Sequence, residues 1–293
     1  MTTPDGFRLP GDRADLERRI TAWSRRTGLP EGWLRRYVST SVVMAMLARA
    51  TDARGEALFV PKGGASMQLR FGTDARLTRD LDAAFRGLEP DIAAALRVAT
   101  AGPLWDFTAK LRQLDPYDGD RLLTVVHRYR IALSFRGRPF DSVAVELTEQ
   151  PAARGEMLLP VLSLEDVRLP GPAASTVLEL PRQFAEKLHA CTEPDRIDAP
   201  NDRVSDLYDL SLLARDVNRR EDWVAVMDAC QAVFIERGTH SWPSRVTVRR
   251  GWAKEWESMG DLLPFDALGI PSGVDEAARQ PNDMLTHRPP GRE

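Results

Sequence analysis

The sequence predicts an α+β chain with two lobes: a mixed β-sheet core flanked by helices, then a helical lobe. Three observations carry this expectation. The 293 residues, 43% hydrophobic and 28% charged, are enough to bury a sizeable core and divide into two lobes. From Ala57 to about Gln150, short apolar runs and two-residue alternation are interleaved with helical periodicity. Beyond the proline-bearing stretch around Leu169 to Pro172, only helical patterns remain. The expected boundaries are 1–56 for N-terminal helices, 57–170 for an α/β core and 171–293 for a C-terminal helical domain.

Each element has its own warrant. Leu16, Ile20 and Trp23 recur at helical spacing after Asp12, GLPEG interrupts, and Trp33 to Ala50 resumes as a second helix. ALFVP is a short buried strand, GGASMQLRFG a turn entering a helix, LTRDLDAAF a second strand and EPDIAAALRVAT a further helix. WDFTAKLRQLD, RLLTVVHRYRIALSFRG and FDSVAVELTEQ read as antiparallel strands extending the sheet, with Tyr129, Ile131, Leu133 and Phe135 along one face and RGRP as a turn. Four helices follow in PRQFAEKLHACT, RVSDLYDLSLLARDV, DWVAVMDACQAVFIERG and WAKEWESMGDLL, and Pro181 suits a first helical turn. The polar, proline-bearing tail from Gln280 reads as frayed.

Composition excludes several classes. No window approaches the roughly 18 apolar residues of a membrane span, and the N-terminus lacks a secretory apolar region, so the expected location is the cytoplasm. Cys191 and Cys230 have no metal-ligand spacing and read as buried thiols, which argues against redox chemistry. Only Lys62, Lys110, Lys187 and Lys254 are lysines among 40 basic residues, so each retained lysine hints at a need for a slim ammonium. A net charge of −3 with abundant arginine permits a local phosphate-binding surface without demanding one.

The segment from Lys62 to Phe85 carries the chemistry. Residues two apart on a strand share a side, so Asp80 and Asp82 project together while Leu81 and Ala83 face the other way. Adjacent carboxylates repel unless exposed or bridged by a divalent cation, and Mg²⁺ suits such a hard oxygen site. An edge strand with two solvated acids would carry the same pattern. Upstream, Gly63 and Gly64 between a strand and a helix let backbone N–H groups converge on an anion, and Ser66 adds a hydroxyl. A tight turn is the simpler reason for such a pair. Together, a phosphate cradle and a carboxylate pair are the parts needed to grip a nucleoside triphosphate (NTP). Glu146 in SVAVELT faces away from Val143, Val145 and Leu147 and is the best third acid, whereas Asp141 points the wrong way. Thr78, two residues before Asp80, is expected on the same strand face, where a phosphate would crowd the carboxylates and act as an off switch.

These motifs, LFVPKGGASMQLRFG, LTRDLD and VAVEL, followed by PRQFAEKLHACT and NDRVSDLYDLSLL, resemble in order the AbiEii/MenT-type nucleotidyltransferase toxins of the polymerase-beta-like superfamily. The resemblance implies a nucleotidyltransferase-like fold. It places Gly63, Gly64 and Ser66 on the phosphate-binding motif, Asp80 and Asp82 on the metal-binding carboxylates, and Glu146 on the third acid, where Asp is more usual. Lys187 and Asp209 fall on the helical motif that completes the site. Lys187 would supply a mobile cation to a triphosphate; Asp206 and Asp209 share one helix face three residues apart, and Asp209 would orient Lys187 or hold a base or an incoming hydroxyl. His189, Trp242 and Trp252 are expected in packing.

The expected activity is transfer of a nucleoside monophosphate from an NTP to an acceptor hydroxyl, with Mg²⁺ as cofactor. By resemblance the acceptor is the 3′ end of tRNA, whose capping would block aminoacylation and translation. That makes the chain a toxin paired with an antitoxin encoded nearby, with phage defence as one setting. RNA as partner requires arginines such as Arg35, Arg36, Arg70 and Arg76 to form a patch. Two alternatives stand beside this: a small-molecule nucleotidyltransferase of the antibiotic-modifying kind, and a catalytically idle interaction module.

Overall fold

The computed structural model describes residues 8–78, 80–88, 91–115, 117–118, 125–150, 152–158, 163–171, 175–195, 200–220, 222–261 and 263–286. The chain divides into two compact units, Met1–Thr73 with Leu77–Leu178, and Asp74–Arg76 with Glu179–Glu293. No helix among the described residues is long and apolar enough to cross a membrane.

The first unit opens with helix α1, Arg13–Thr27, capped where the Asp12 side chain accepts from the Asp15 N–H at 2.7 Å. Helix α2, Glu31–Leu47, follows Pro30. Helix α1 buries only the stripe Leu16, Ile20 and Trp23, whereas α2 is buried continuously from Tyr37 to Met44, the pattern of an inner helix. The strands are β1 Phe59–Lys62, β2 Asp80–Phe85, β3 Phe107–Gln113, β4 Tyr117–Asp118, β5 Val125–Phe135 and β6 Arg138–Glu149. They form a mixed sheet in the order β1-β2-β6-β5-β3, with β4 pairing β5; β2 and β6 run parallel and the other pairs antiparallel. Helix α3, Gly63–Phe71, lies between β1 and β2 in the chain, and α4, Ile92–Ala99, between β2 and β3.

Alternation decides which face is buried. Leu81, Ala83, Ile131, Val143 and Val145 join Leu16, Val42 and Leu96 of the helices in one apolar cluster. Each such Leu, Ile or Val side chain contributes about 1.5–3 kcal/mol by leaving water. The expected stripe Tyr129, Ile131, Leu133 and Phe135 is buried as anticipated. A register shift between Leu133 and Ser134 marks a bulge near the β5–β6 turn.

Two local expectations are corrected here. Strand β2 begins at Asp80, so Thr78 is not on a strand; its hydroxyl donates to the Asp80 carbonyl at 2.7 Å, a local bond that competes with extension of the ladder. A second antiparallel sheet, β7 Gly155–Leu158 with β8 Ser175–Leu178, occupies stretches not anticipated as strands.

The second unit is helical: α5 Leu180–Thr192, α6 Val204–Arg220, α7 Trp223–Arg237, α8 Trp252–Gly260, α9 Phe265–Leu268 and α10 Val274–Thr286. Pro181 sits in the first turn of α5. The tail from Gln280 is not frayed as far as Thr286, because α10 continues through Pro281 and is anchored at both ends of one amide. The Asn282 side chain accepts from the Val246 N–H at 2.8 Å and donates to the Val246 carbonyl at 2.9 Å. Cys191 and Cys230 are buried thiols, and burial pushes Cys230 up to about 12, so neither is a ready thiolate. Trp252 is core, its indole donating to the Asn201 carbonyl at 2.6 Å, and Trp242 packs on Phe234. His189 is buried against Phe234 and His240, in packing as expected.

Candidate active site

The site residues expected from sequence fall into two charged clusters, one in each unit. In the first, the sheet register sets the geometry: Lys62 pairs with Asp82 across β1 and β2, Asp82 with Glu146 across β2 and β6, and Glu146 with Arg128 across β6 and β5. Register partners share a face, so one row of alternating charge runs across four strands. Asp80, one pleat away, is exposed on the same face, while Leu81 and Ala83 between and beyond the acids are fully buried. The acids thus project away from the core, as their spacing predicts.

The glycine pair meets this row directly. Gly63 opens α3 with a φ of 57°, and a Cβ there would overlap the Asp82 carboxylate, lying 3.2 Å from its Cγ and 3.3 Å from its Cβ. Glycine is required at that position by backbone and by space together. Gly64 is equally confined, since a Cβ would come within 2.7 Å of both Cβ and Oγ1 of Thr78. Lys62 is the N-cap residue of α3 and its side chain makes no capping bond, and a helix N-terminus carries the partial positive charge that suits an anion. Ser66 is buried, and its hydroxyl donates to the Gly63 carbonyl at 2.9 Å, holding the turn from within. Thr78 is buried too, its hydroxyl committed to the Asp80 carbonyl.

Glu146 lies beside Asp82 by register, with Arg128 Nε 3.5 Å from its Oε1. Asp141 is occupied elsewhere, accepting from the Ser142 N–H at 2.7 Å and facing Arg36 at 3.5 Å. Among the described residues no three His, Cys, Asp or Glu side chains group as a metal cage. Mg²⁺ does not need one, because it uses one or two carboxylates together with water and substrate phosphates. The Asp80–Asp82 pair fits that donor set.

The second cluster is buried. Lys187 Nζ on α5 lies 2.5 Å from Asp206 Oδ1 and 2.7 Å from Asp209 Oδ2, and Arg76 reaches Asp209 Oδ2 at 3.0 Å and Asp206 Oδ1 at 3.7 Å. Burial alone would lower the Lys187 ammonium and raise the Asp206 carboxyl; the opposing charges prevail, so Lys187 is held above its usual range and Asp206 below it. Arg76 enters this unit because its segment does: the Tyr208 hydroxyl donates to the Asp74 carbonyl at 2.5 Å. Sequence reading placed Asp206 and Asp209 around Lys187, and the helix geometry does so. It missed Arg76 as their second cation, for which spacing offers no signal.

In this structure Lys187 is a buried ammonium paired with both aspartates. The expected arginine patch is corrected. Arg35 forms a two-pronged pair with Glu17 at 2.5 Å, Arg36 donates to the Ser142 carbonyl at 2.7 Å, Arg70 is buried against Glu156, and Arg76 belongs to the aspartate cluster. All four are spent on the fold.

Comparison with known proteins bears on the two clusters together. No curated protein matches the chain. Among solved structures, the nucleotidyltransferase toxin MenT4 from Mycobacterium tuberculosis H37Rv is similar at 20% identity with a TM-score of 0.56, over 95% of this chain and 90% of that one, which establishes a common fold. A structure described as a putative nucleotidyltransferase from H. pylori aligns at 14% identity with a TM-score of 0.41, over 89% of this chain and 100% of that one. That second likeness is too loose to argue from. The profile of the family described as nucleotidyl transferase AbiEii toxin, Type IV TA system, matches residues 45–279, a span containing both charged clusters. The chain belongs to the AbiEii nucleotidyl transferase toxin family of type IV toxin–antitoxin systems.

Proposed function

We propose that this protein is a toxin that transfers a nucleoside monophosphate from an NTP to the 3′ end of tRNA, blocking aminoacylation and translation until its antitoxin intervenes. The carrying observation is the contact between the two motifs: the Gly63 position lies against the Asp82 carboxylate, so an anion at the start of α3 is bound next to the acid pair. The cytoplasm, where NTPs and tRNA meet, is the proposed place of action.

The residues divide the work. Backbone N–H groups at Gly63 and Gly64 bind the phosphates, with Ser66 bracing the turn. Asp80 and Asp82 would hold Mg²⁺, with Glu146 beside them as the third acid. When bound, the metal supplies charge neutralisation and polarises the phosphoryl oxygens. The acceptor hydroxyl oxygen forms a bond to the α-phosphorus, the α–β bridging bond breaks, pyrophosphate leaves, and the hydroxyl proton passes to a carboxylate of the pair. Lys187 and Asp209 act as one charge-balanced unit that fixes α5 to α6, and Lys187 meets a phosphate only by releasing one aspartate.

Purified protein incubated with each labelled NTP, Mg²⁺ and total tRNA should place label on tRNA, and a chelator should stop it. Label appearing only on small acceptors, or none with any NTP, overturns the reading.

A further inference from the structure

The acid-bearing face of the sheet continues past the acids. At the level of Asp80 the register runs Asp80, Ala144, Arg130, Arg112 across β2, β6, β5 and β3; one pleat further it runs Ser142, Ala132, Lys110. Arg130, Arg112, Lys110 and Ala132 are all exposed, so among the described residues nothing covers this part of the sheet. The alanines keep it low between the charged side chains.

Arg112 and Arg130 are direct cross-strand partners, an arrangement that destabilises a sheet. No ion pair or hydrogen bond engages the side chain of Arg112, Arg130 or Lys110 among the described residues. Edge protection explains basic residues on β3, the last strand of the order. It does not explain Arg130, which lies on the interior strand β5. With a usual strand spacing of about 4.8 Å, Arg130 stands about 10 Å and Arg112 about 14 Å from Asp80 across the sheet.

We propose that Arg130, Arg112 and Lys110 form a track for the phosphodiester backbone of an RNA strand whose 3′ end lies at Asp80 and Asp82. This rests on the transfer reading above and supplies the basic surface that Arg35, Arg36, Arg70 and Arg76 do not. The cations are spaced along one flat face, which suits successive backbone phosphates of a strand crossing β3 and β5 toward β2. Such contacts position the acceptor without reading its sequence.

The test is binding, measured without turnover. Full-length protein and its Lys110→Gln/Arg112→Gln/Arg130→Gln variant are titrated with labelled RNA ending in a single-stranded 3′ segment, across a salt series. Arg97→Gln, which removes an exposed charge from α4 on the helical side, is the control. The triple variant should bind at least 10-fold more weakly at low salt. Its slope of log K against log salt should shrink by about 2, since each phosphate contact on a single strand contributes about 0.7. Circular dichroism should match the wild type and Tm should be no lower, and Arg97→Gln should bind normally. Unchanged affinity and slope in the triple variant, a comparable loss in Arg97→Gln, or no RNA binding by the wild type overturns the track. Track-dependent binding by a protein that labels no RNA with any NTP would instead retain the track and remove the transfer reading.

Discussion

Asp80 and Asp82 stand two residues apart on β2, exposed or half-exposed on the polar face; Asp206 and Asp209 stand three apart on α6, buried, with Lys187 and Arg76 between them. Both pairs are carboxylates brought together by the period of their element. The strand pair lies on a solvent-facing side of its sheet, whereas the helix pair is buried with two cations. Charge that is bound for a ligand stays near water, and charge that is bound for the fold is neutralised before burial. The prediction is that damage to the first pair is read as lost activity and damage to the second as lost stability.

The largest effect should come from Asp80→Ala. Nucleotide transfer should drop by about 10³-fold or more, because positioned charge carries most of such a reaction. Its Tm should stay near the wild type, since an exposed acid carries little of the fold. A folded and fully active Asp80→Ala protein rules out the carboxylate site.

Asp209→Ala or Lys187→Ala should reverse the pattern. Either leaves buried charge uncompensated and should cost about 3–5 kcal/mol in urea unfolding. Lys187→Arg should rescue little of it, because a planar fork does not replace a compact ammonium between two carboxylates. If Lys187→Ala abolished transfer at unchanged stability, the mobile-cation role expected from sequence would replace the structural one.

Gly64→Ala tests the support beneath the strand pair. The added methyl would meet Thr78 at 2.7 Å, and overpacking of this kind costs about 1–3 kcal/mol. Because Thr78 is tied to the Asp80 carbonyl, transfer should fall as well. A variant as stable and active as the wild type would show that the turn yields freely.

How much of this was legible in sequence follows the range of the interactions. Strand alternation is local, so the common face of Asp80 and Asp82 and the buried stripe ending at Phe135 were readable. Helix spacing likewise gave the shared face of Asp206 and Asp209. Thr78 was misplaced because one side-chain bond to Asp80 outweighs the β-propensity of a threonine. The strands β7 and β8 are four residues each and depend on pairing far along the chain, and α10 depends on an amide clamp to Val246. The arginines misled for a related reason: exposure and pairing belong to the fold, so Arg35 and Arg130 look alike until Glu17 is found beside the first.

A pH titration can separate the buried aspartate cluster from other buried ionisable groups of the second unit. Burial, then Arg237 and His240, push His189 from 6.5 down to about 3, and burial lowers His240 as well. His189 is neutral in the fold between pH 7 and 5 and His240 takes up its proton at lower pH than an unperturbed histidine, while the unfolded chain takes up protons near pH 6.5. Stability should thus be full above that value and decline as pH falls below it. Asp206, held below 3.8, stays charged over most of this range, so a fall in Tm between pH 7 and 5 belongs to the histidines. A His189→Gln variant with an equally steep decline would assign it elsewhere.

The smallest expected effect concerns the open sheet face, and it has the opposite sign. If exposed charges there are kept for a ligand rather than for the fold, removing one should stabilise the protein. Arg130 faces Arg112 across β5 and β3 with Ala144 on its other side. Arg130→Thr relieves that repulsion and places a β-branched residue on an interior strand, two changes that favour the sheet. The expected gain is about 0.2–1 kcal/mol in urea unfolding, larger at low salt, where like charges are least screened. Arg35→Thr, made in parallel, removes an arginine already paired with Glu17 and should destabilise instead. A loss of stability in Arg130→Thr as large as that in Arg35→Thr would mean that Arg130 serves the fold, and the contrast between charges kept for a ligand and charges kept for the structure would not extend to this face.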